Sequence, residues 1–201
     1  MKTKKSTNKS GFFPRNYTLC WKFIKESRKF IYIITSVFFL FTLIGFFIPV
    51  PDYIARELLK ILEEIVKRTE GLSQFELIGF IFFNNVQSSF MGLLLGVFLG
   101  IFPLIFSAFN GYILGFVASM AVGANGVGVL WRILPHGIFE LPAVFISLGL
   151  GLRIGMLVFQ HINMKSFKYY AYELARVFVF VVIPLLIIAA VIEGTLIALV
   201  K

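Results

Sequence analysis

The sequence predicts an all-α fold: a polytopic helical membrane protein with about five transmembrane helices, an extra amphipathic helix outside the bilayer and an interrupted third span. Three observations predict it. The first is composition. The chain is 59% hydrophobic and 14% charged, with 25 Phe, where ordinary soluble domains run at about 45–50% apolar and about 25% charged. A chain of 201 residues cannot hide that much apolar side chain from water. A soluble enzyme is excluded, and so is disorder, which requires low hydrophobicity. The second is that the apolar residues fall into runs of about 20, the length that crosses a bilayer as a helix. The third is charge placement. Residues 1–30 hold nine Lys/Arg against one acid, Glu26, and the other 171 residues carry a net +1. A basic block directly before an apolar run marks a cytoplasmic anchor that can touch anionic lipid, rather than a nucleic-acid surface. A single cysteine, Cys20, excludes an intrachain disulfide framework and a cysteine-cluster metal site.

The chain divides into a basic cytoplasmic or interfacial segment, 1–29, and a transmembrane helical domain, 30–201. Tyr17, Cys20, Trp21 and Ile24 share one helical face, so 14–29 reads either as an amphipathic helix at the headgroups or as a continuation of the first span. That span is 30–48, stopped by Pro49 and Pro51. The segment 52–70 reads as the external helix. Ile54, Leu58, Ile61, Leu62 and Ile65 form its apolar stripe, and Glu63–Lys67 and Glu64–Arg68 are favourable i,i+4 pairs. Asp52 suits a cap at its start and Gly71 its end. The stripe needs a cover: the bundle, the lipid interface or a protein partner docked on 52–69.

The second span reads as 81–109, with Asn110-Gly111 as the turn into a third span that stays apolar only to Val122. The stretch Gly123-Ala124-Asn125-Gly126-Val127-Gly128 then either interrupts the helix or ends it in a loop that dips back. Irregular backbone at membrane depth survives only where protein or water satisfies it, and broken helices often line transporter sites. The fourth span is 138–159 and the fifth 174–200, with Pro184 in its middle. Five spans place the N-terminus in the cytoplasm and the C-terminus outside the cell membrane. The loop 52–76, with four bases and six acids, falls outside.

Small residues recur every four positions: Gly92, Gly96 and Gly100 in the second span, Gly111 and Gly115 in the third, Ser147, Gly151 and Gly155 in the fourth. Helices in lipid associate through close backbone packing, so these are contact ridges. Three ridged spans offer more such surface than one five-helix protomer uses, which predicts a homo-oligomer.

The polar residues converge on one end. His136 and Glu140, bracketed by Pro135 and Pro142, share a helical face at the start of the fourth span, where the helix dipole favours an anion. Arg132 precedes them, Asn84, Asn85 and Gln87 open the second span, and Glu193 lies near the outer end of the fifth. Buried ionisable groups in a membrane face the bundle and pair, so a connected outer-leaflet cluster is expected. It would serve as hydrogen-bond glue between helices, as an ion or proton site, or as a catalytic metal site. A zinc site normally takes three or more protein ligands, which His136, Glu140 and Glu193 could supply; metal binding itself stays open. No HExxH motif, Ser/His/Asp order, phosphate loop or cofactor fingerprint is present. No cofactor and no nucleic-acid partner are expected.

Phe83-Asn84-Asn85, the Gly92/Gly96/Gly100 series, Asn110-Gly111 with Gly115, and Pro135-His136-Gly137 with Glu140-Leu141-Pro142-Ala143 together resemble the stage II sporulation protein M family. The resemblance is close over 75–160, and the five-span layout extends it over nearly the whole chain. It implies an integral membrane scaffold that, in endospore-forming bacteria, supports peptidoglycan-degrading partners at the septum while a cell membrane engulfs the forespore. The scaffold is not itself the hydrolase. Related proteins occur in organisms that do not sporulate, archaea among them. By carry-over the family-like positions are Asn84, Asn85, Asn110, Gly111, His136, Gly137 and Glu140. Two other classes stand beside this reading: a small ion, proton or solute transporter or channel subunit using Glu140 or Glu193, and an intramembrane metal hydrolase built on His136 and Glu140.

Overall fold

The computed structural model describes residues 11–96, 100–160 and 163–200, with the side chains of 131–136, 158, 159, 164 and 200 left out. The basic residues Lys2, Lys4, Lys5 and Lys9 of the anchor, and His161, lie outside the described residues. Among the described residues run α1 (Phe12–Phe47), α2 (Asp52–Thr69), α3 (Gln74–Leu95), α4 (Ile101–Asn125), α5 (Leu130–Phe159), α6 (Met164–Val177) and α7 (Ile183–Val200). A 3-10 turn, Val127–Val129, joins α4 to α5, and a π-helical segment, Phe178–Val182, joins α6 to α7. Five helical stretches among the described residues are long and apolar enough to cross a membrane: Phe12–Phe47, Gln74–Leu95, Ile101–Asn125, Gly137–Leu157 and Lys165–Leu199.

At 36 residues, α1 is ~54 Å long, well beyond the ~30 Å hydrocarbon core. It is unbroken from Phe12 to Phe47. Its N-terminal stretch does not stand apart from the bundle. Asn16, Cys20, Phe23 and Ser27 form one buried face, while Tyr17 and Trp21 remain exposed. Phe12, Phe13 and Tyr17 pack their rings on Phe180, and Phe23 packs on Tyr170. This stretch therefore runs antiparallel to α6 and the π segment. The helix stops at Ile48, whose extended backbone is what a residue before proline adopts.

In α2, Pro51 flanks the start and Asp52 is already helical, so Asp52 is an acid of the first turn rather than the cap. Gly71 takes a left-handed φ of 78° just past the end, as a C-terminal glycine does. Leu58 is the one buried residue of α2. Tyr53, Ile61, Ile65 and Val66 are exposed, and the exposed face carries a Lys60–Glu57 ion pair at 2.7 Å.

The second and third spans divide elsewhere than the sequence suggests. Instead of running 81–109, the second span is α3, which starts at Gln74 on a capping box between Ser73 and Glu76 and ends at Leu95. The chain reverses around Gly100, whose φ of 70° is the left-handed region glycine favours. Pro103 sits in the first turn of α4, where a missing N–H costs nothing. Asn110-Gly111 is no turn; both lie inside α4, because Gly111 is needed against the Phe38 carbonyl of α1. Tertiary packing overrides the local turn preference. The third span is likewise not interrupted. It is one 25-residue helix, and the glycine stretch expected to break it ends it at Gly126, with φ 77°.

The fourth span, α5, begins upstream of 138, at Leu130, and passes through Pro135 and Pro142. The fifth carries the π segment. Ile183 N–H donates five residues back to Phe178, and Pro184 next to it has no N–H to give. A proline inside a helix removes a backbone bond and crowds the preceding turn, and a π-bulge is one way to absorb that.

α5 is the central helix, touching α1, α3, α4 and α7. Two parallel pairs build the bundle. Along α1 and α4, Ser107 Oγ donates to the Ile34 carbonyl at 2.8 Å; a Cβ on Gly111 would strike the Phe38 carbonyl, and one on Gly115 the Thr42 carbonyl. Along α3 and α5, Ser147 Oγ donates to the Ser89 carbonyl at 2.7 Å. A Cβ on Gly96 would strike the Gly151 backbone, and one on Gly155 the backbones of Gly96 and Gly100. The helices thus meet backbone to backbone, the contact that small residues permit in lipid.

Candidate functional site

Polar side chains gather at both ends of this bundle. At the end that carries α2, the N-termini of α3 and α5 meet the C-terminus of α7. Gln74 Nε2 donates to Thr195 Oγ1 at 3.1 Å across α3 and α7, and a Cβ on Gly194 would strike the Ile78 side chain. Here Glu140 of α5 and Glu193 of α7 are both half-buried and lie within electrostatic reach of each other. The α7 helix delivers Glu193 because its small residues, Ala190 and Gly194, let it sit close against α3.

The other residues singled out in the sequence are placed differently. Asn84, Asn85 and Gln87 do not open α3; they lie ten or more residues along it, ~15 Å from its start. Asn85 is half-buried, while Asn84 and Gln87 are exposed. Arg132 and His136 lie on the first two turns of α5, but their side chains are outside the described residues. The end of the bundle thus brings two carboxyls together and leaves two of the amides on the outside. Gly92 faces the Leu148 side chain.

A second cluster, at the α6 end, was not anticipated. Arg153 of α5 donates to Ser27 Oγ at 2.6 Å, sits 3.7 Å from the Glu26 carboxylate, and stacks over the rings of Phe23 at 4.5 Å and Tyr170 at 5.2 Å. One guanidinium thereby ties α5 to α1 and α6. On α6, Arg176 Nη1 donates to both carboxylate oxygens of Glu173 at 2.7 Å and lies over the Tyr172 ring at 4.6 Å. Glu173 is 5% exposed. Buried Cys20 lies near both charges. The sequence signals were there: an arginine inside an apolar span, and a Glu-x-x-Arg spacing that places opposite charges on one helical face.

The two clusters differ in kind. In the Arg153 and Glu173–Arg176 group each charge has an opposite charge and hydrogen-bond partners, so its chemistry is structural. Glu140 and Glu193 are like charges within electrostatic reach of each other. Glu140→Gln is therefore expected to keep the bundle folded and not lower its melting temperature in detergent, whereas Arg153→Gln lowers it by several degrees, an unfolding shift of about 2–4 kcal/mol.

The fold and these intramembrane charges define an all-α, multi-pass membrane protein. The chain belongs to the stage II sporulation protein M family: the family described as Stage II sporulation protein M matches residues 34–196. It is also similar to the uncharacterized protein MJ0706 of Methanocaldococcus jannaschii, 32% identical over 176 residues that cover 85% of this chain and 78% of the relative. No solved structure matches it.

Proposed function

We propose that this protein is a membrane scaffold that docks a partner protein on α2, with its N-terminus in the cytoplasm and α2 and its C-terminus outside. The observation that carries this reading is α2 itself. It projects an apolar stripe, Ile61, Ile65 and Val66, that the bundle leaves exposed, beside a charged face that is polar enough to stand in water. Among the described residues the helices of the bundle beneath it close on one another through Gly96, Gly111, Gly115, Gly151 and Gly155. Of three grooves on its surface, one is lined by α3, α5, α6 and the π segment and two by α1 alone, and none of the three is lined by Glu140 or Glu193. Orientation follows from the cationic residues of α1, Lys22, Lys25, Arg28 and Lys29, which favour the cytoplasmic side. Such a scaffold would stand beside peptidoglycan-degrading partners in sporulating cells, as the resemblance to the family implies.

Charge reversal across α2, with Lys60, Lys67 and Arg68 changed to Glu, is expected to release a co-purifying partner while the melting temperature stays unchanged. An unchanged set of partners argues against docking on α2. A second reading, ion or proton transfer, is favoured by two half-buried carboxyls, Glu140 and Glu193, within electrostatic reach of each other. It requires ion flux in proteoliposomes that Glu140→Gln abolishes.

A further inference from the structure

The geometry points to a self-association surface on α3, where Asn84, Gln87 and Ser88 of one copy pair with the same residues of a second copy inside the bilayer. The three residues fall at i, i+3 and i+4, on one helical face, and all three are exposed. Of the buried residues of α3, Leu77 and Ile81 lie two turns before Asn84 and Ser88 on the same side, where Ala190 of α7 covers them, Gly92 follows one turn after Ser88, and Ser89 and Leu93 lie on the far side. Asn84, Gln87 and Ser88 lie 10–14 residues into a 22-residue span, ~15–21 Å from its start, near the middle of a hydrocarbon core ~30 Å thick.

Among the described residues, the side chains of Asn84, Gln87 and Ser88 make no hydrogen bond. Acyl chains offer none, and an unsatisfied polar group in hydrocarbon is costly. The exposed faces of neighbouring spans have no such problem, because α4 presents Ile101, Ile105 and Phe109, and α7 presents Ile187, Ile188 and Val191.

The chemistry of the row selects its occupant. Each amide carries both donors and an acceptor, so the row is complementary to itself, and a two-fold axis brings the same patch of both copies together. The row bears no charge and therefore calls for none in the partner. A helix of another protein would have to supply donors and acceptors at matching spacing; a second copy of this chain has them by construction. Beside the row, Met91 and Leu94 are exposed, and an apolar groove of about 270 Å³ opens between Phe90, Leu94, Phe167 and Phe178. Apolar side chains of the second copy can fill it. This surface is separate from α2 and does not depend on partner docking there.

The test uses the full chain in liposomes, where native Cys20 is buried. Gln87→Cys is expected to give a disulfide-linked dimer on mild oxidation, about tenfold above Ile105→Cys or Ile187→Cys, which mark the apolar faces. Equal cross-linking at the three positions overturns the proposal. In parallel, the double variant Asn84→Leu with Gln87→Leu is expected to melt like the wild type and to weaken self-association, measured by energy transfer between labelled copies, by about tenfold. Unchanged association overturns the proposal. A double variant that fails to fold also overturns it, because these amides would then be needed within the protomer. In native membranes, a Gln87→Cys adduct with a different protein in place of the dimer overturns the choice of a second copy.

Discussion

Gly115→Ala is expected to cripple the bundle, while Gly123→Ala on the same helix leaves it intact. Both residues lie in α4. Alanine is the better helix former by about 1 kcal/mol, so local propensity favours both changes. The difference is what the new methyl meets. At Gly123 there is nothing within 4 Å. At Gly115 the methyl would overlap the Thr42 carbonyl and crowd Phe46 N, both backbone atoms of α1 that no side-chain rotation can move. The α1–α4 contact must open, and overpacking of this kind costs about 1–3 kcal/mol or more. The loss spreads, because Ser107 and Gly111 along the same row lose their fit to Ile34 and Phe38. Thermal unfolding in a mild detergent checks it: the Gly115 variant melts well below the wild type, the Gly123 variant does not. The same logic makes Gly96→Leu far worse than Leu94→Gly. The first drives a side chain into the Gly151 backbone; the second trims a residue that is 44% exposed.

Glu173→Ala is expected to have an effect of similar size by a different route. It leaves the Arg176 guanidinium, whose side chain is 11% exposed, without its carboxylate. Removing one member of a buried ion pair costs about 3–5 kcal/mol, since the remaining charge stays buried and uncompensated. Removing both is cheaper, because well-packed apolar residues of similar volume often replace a buried pair with little loss. The double variant Glu173→Leu with Arg176→Met is thus expected to be more stable than Glu173→Ala alone. Melting temperatures of the two proteins decide it; a double variant less stable than the single one would mean that the pair serves some further contact.

Much of this architecture was readable before any coordinates. Runs of apolar residues and the lopsided charge gave the membrane class and the five spans, because bilayer thickness sets helix length and no tertiary detail is needed. The boundaries were harder. Gly100 reads as one more member of the Gly92/Gly96 series, yet it also turns the chain, and a sequence does not reveal a positive φ. Asn110-Gly111 carries a turn signature, and only the approach of α1 makes a glycine there helical. Ser107 falls outside the Gly111/Gly115 ridge for the same reason, because a turn at Asn110-Gly111 would separate them. Among the polar residues, depth was misjudged at Asn84 and Gln87 because α3 starts at Gln74. The Arg153 cluster escaped notice because its partners, Ser27 and Tyr170, are distant in sequence.

If the protein docks a partner, α2 is the working surface and the bundle its support. A photo-reactive side chain at Ile65, on the exposed apolar stripe, tests this most directly when activated in intact membranes of the producing cell. A docked partner gives a discrete protein adduct that disappears when Lys60, Lys67 and Arg68 are reversed to Glu. Adducts with phospholipid alone, unaffected by those reversals, would mean that α2 only rests on the bilayer and would contradict the scaffold.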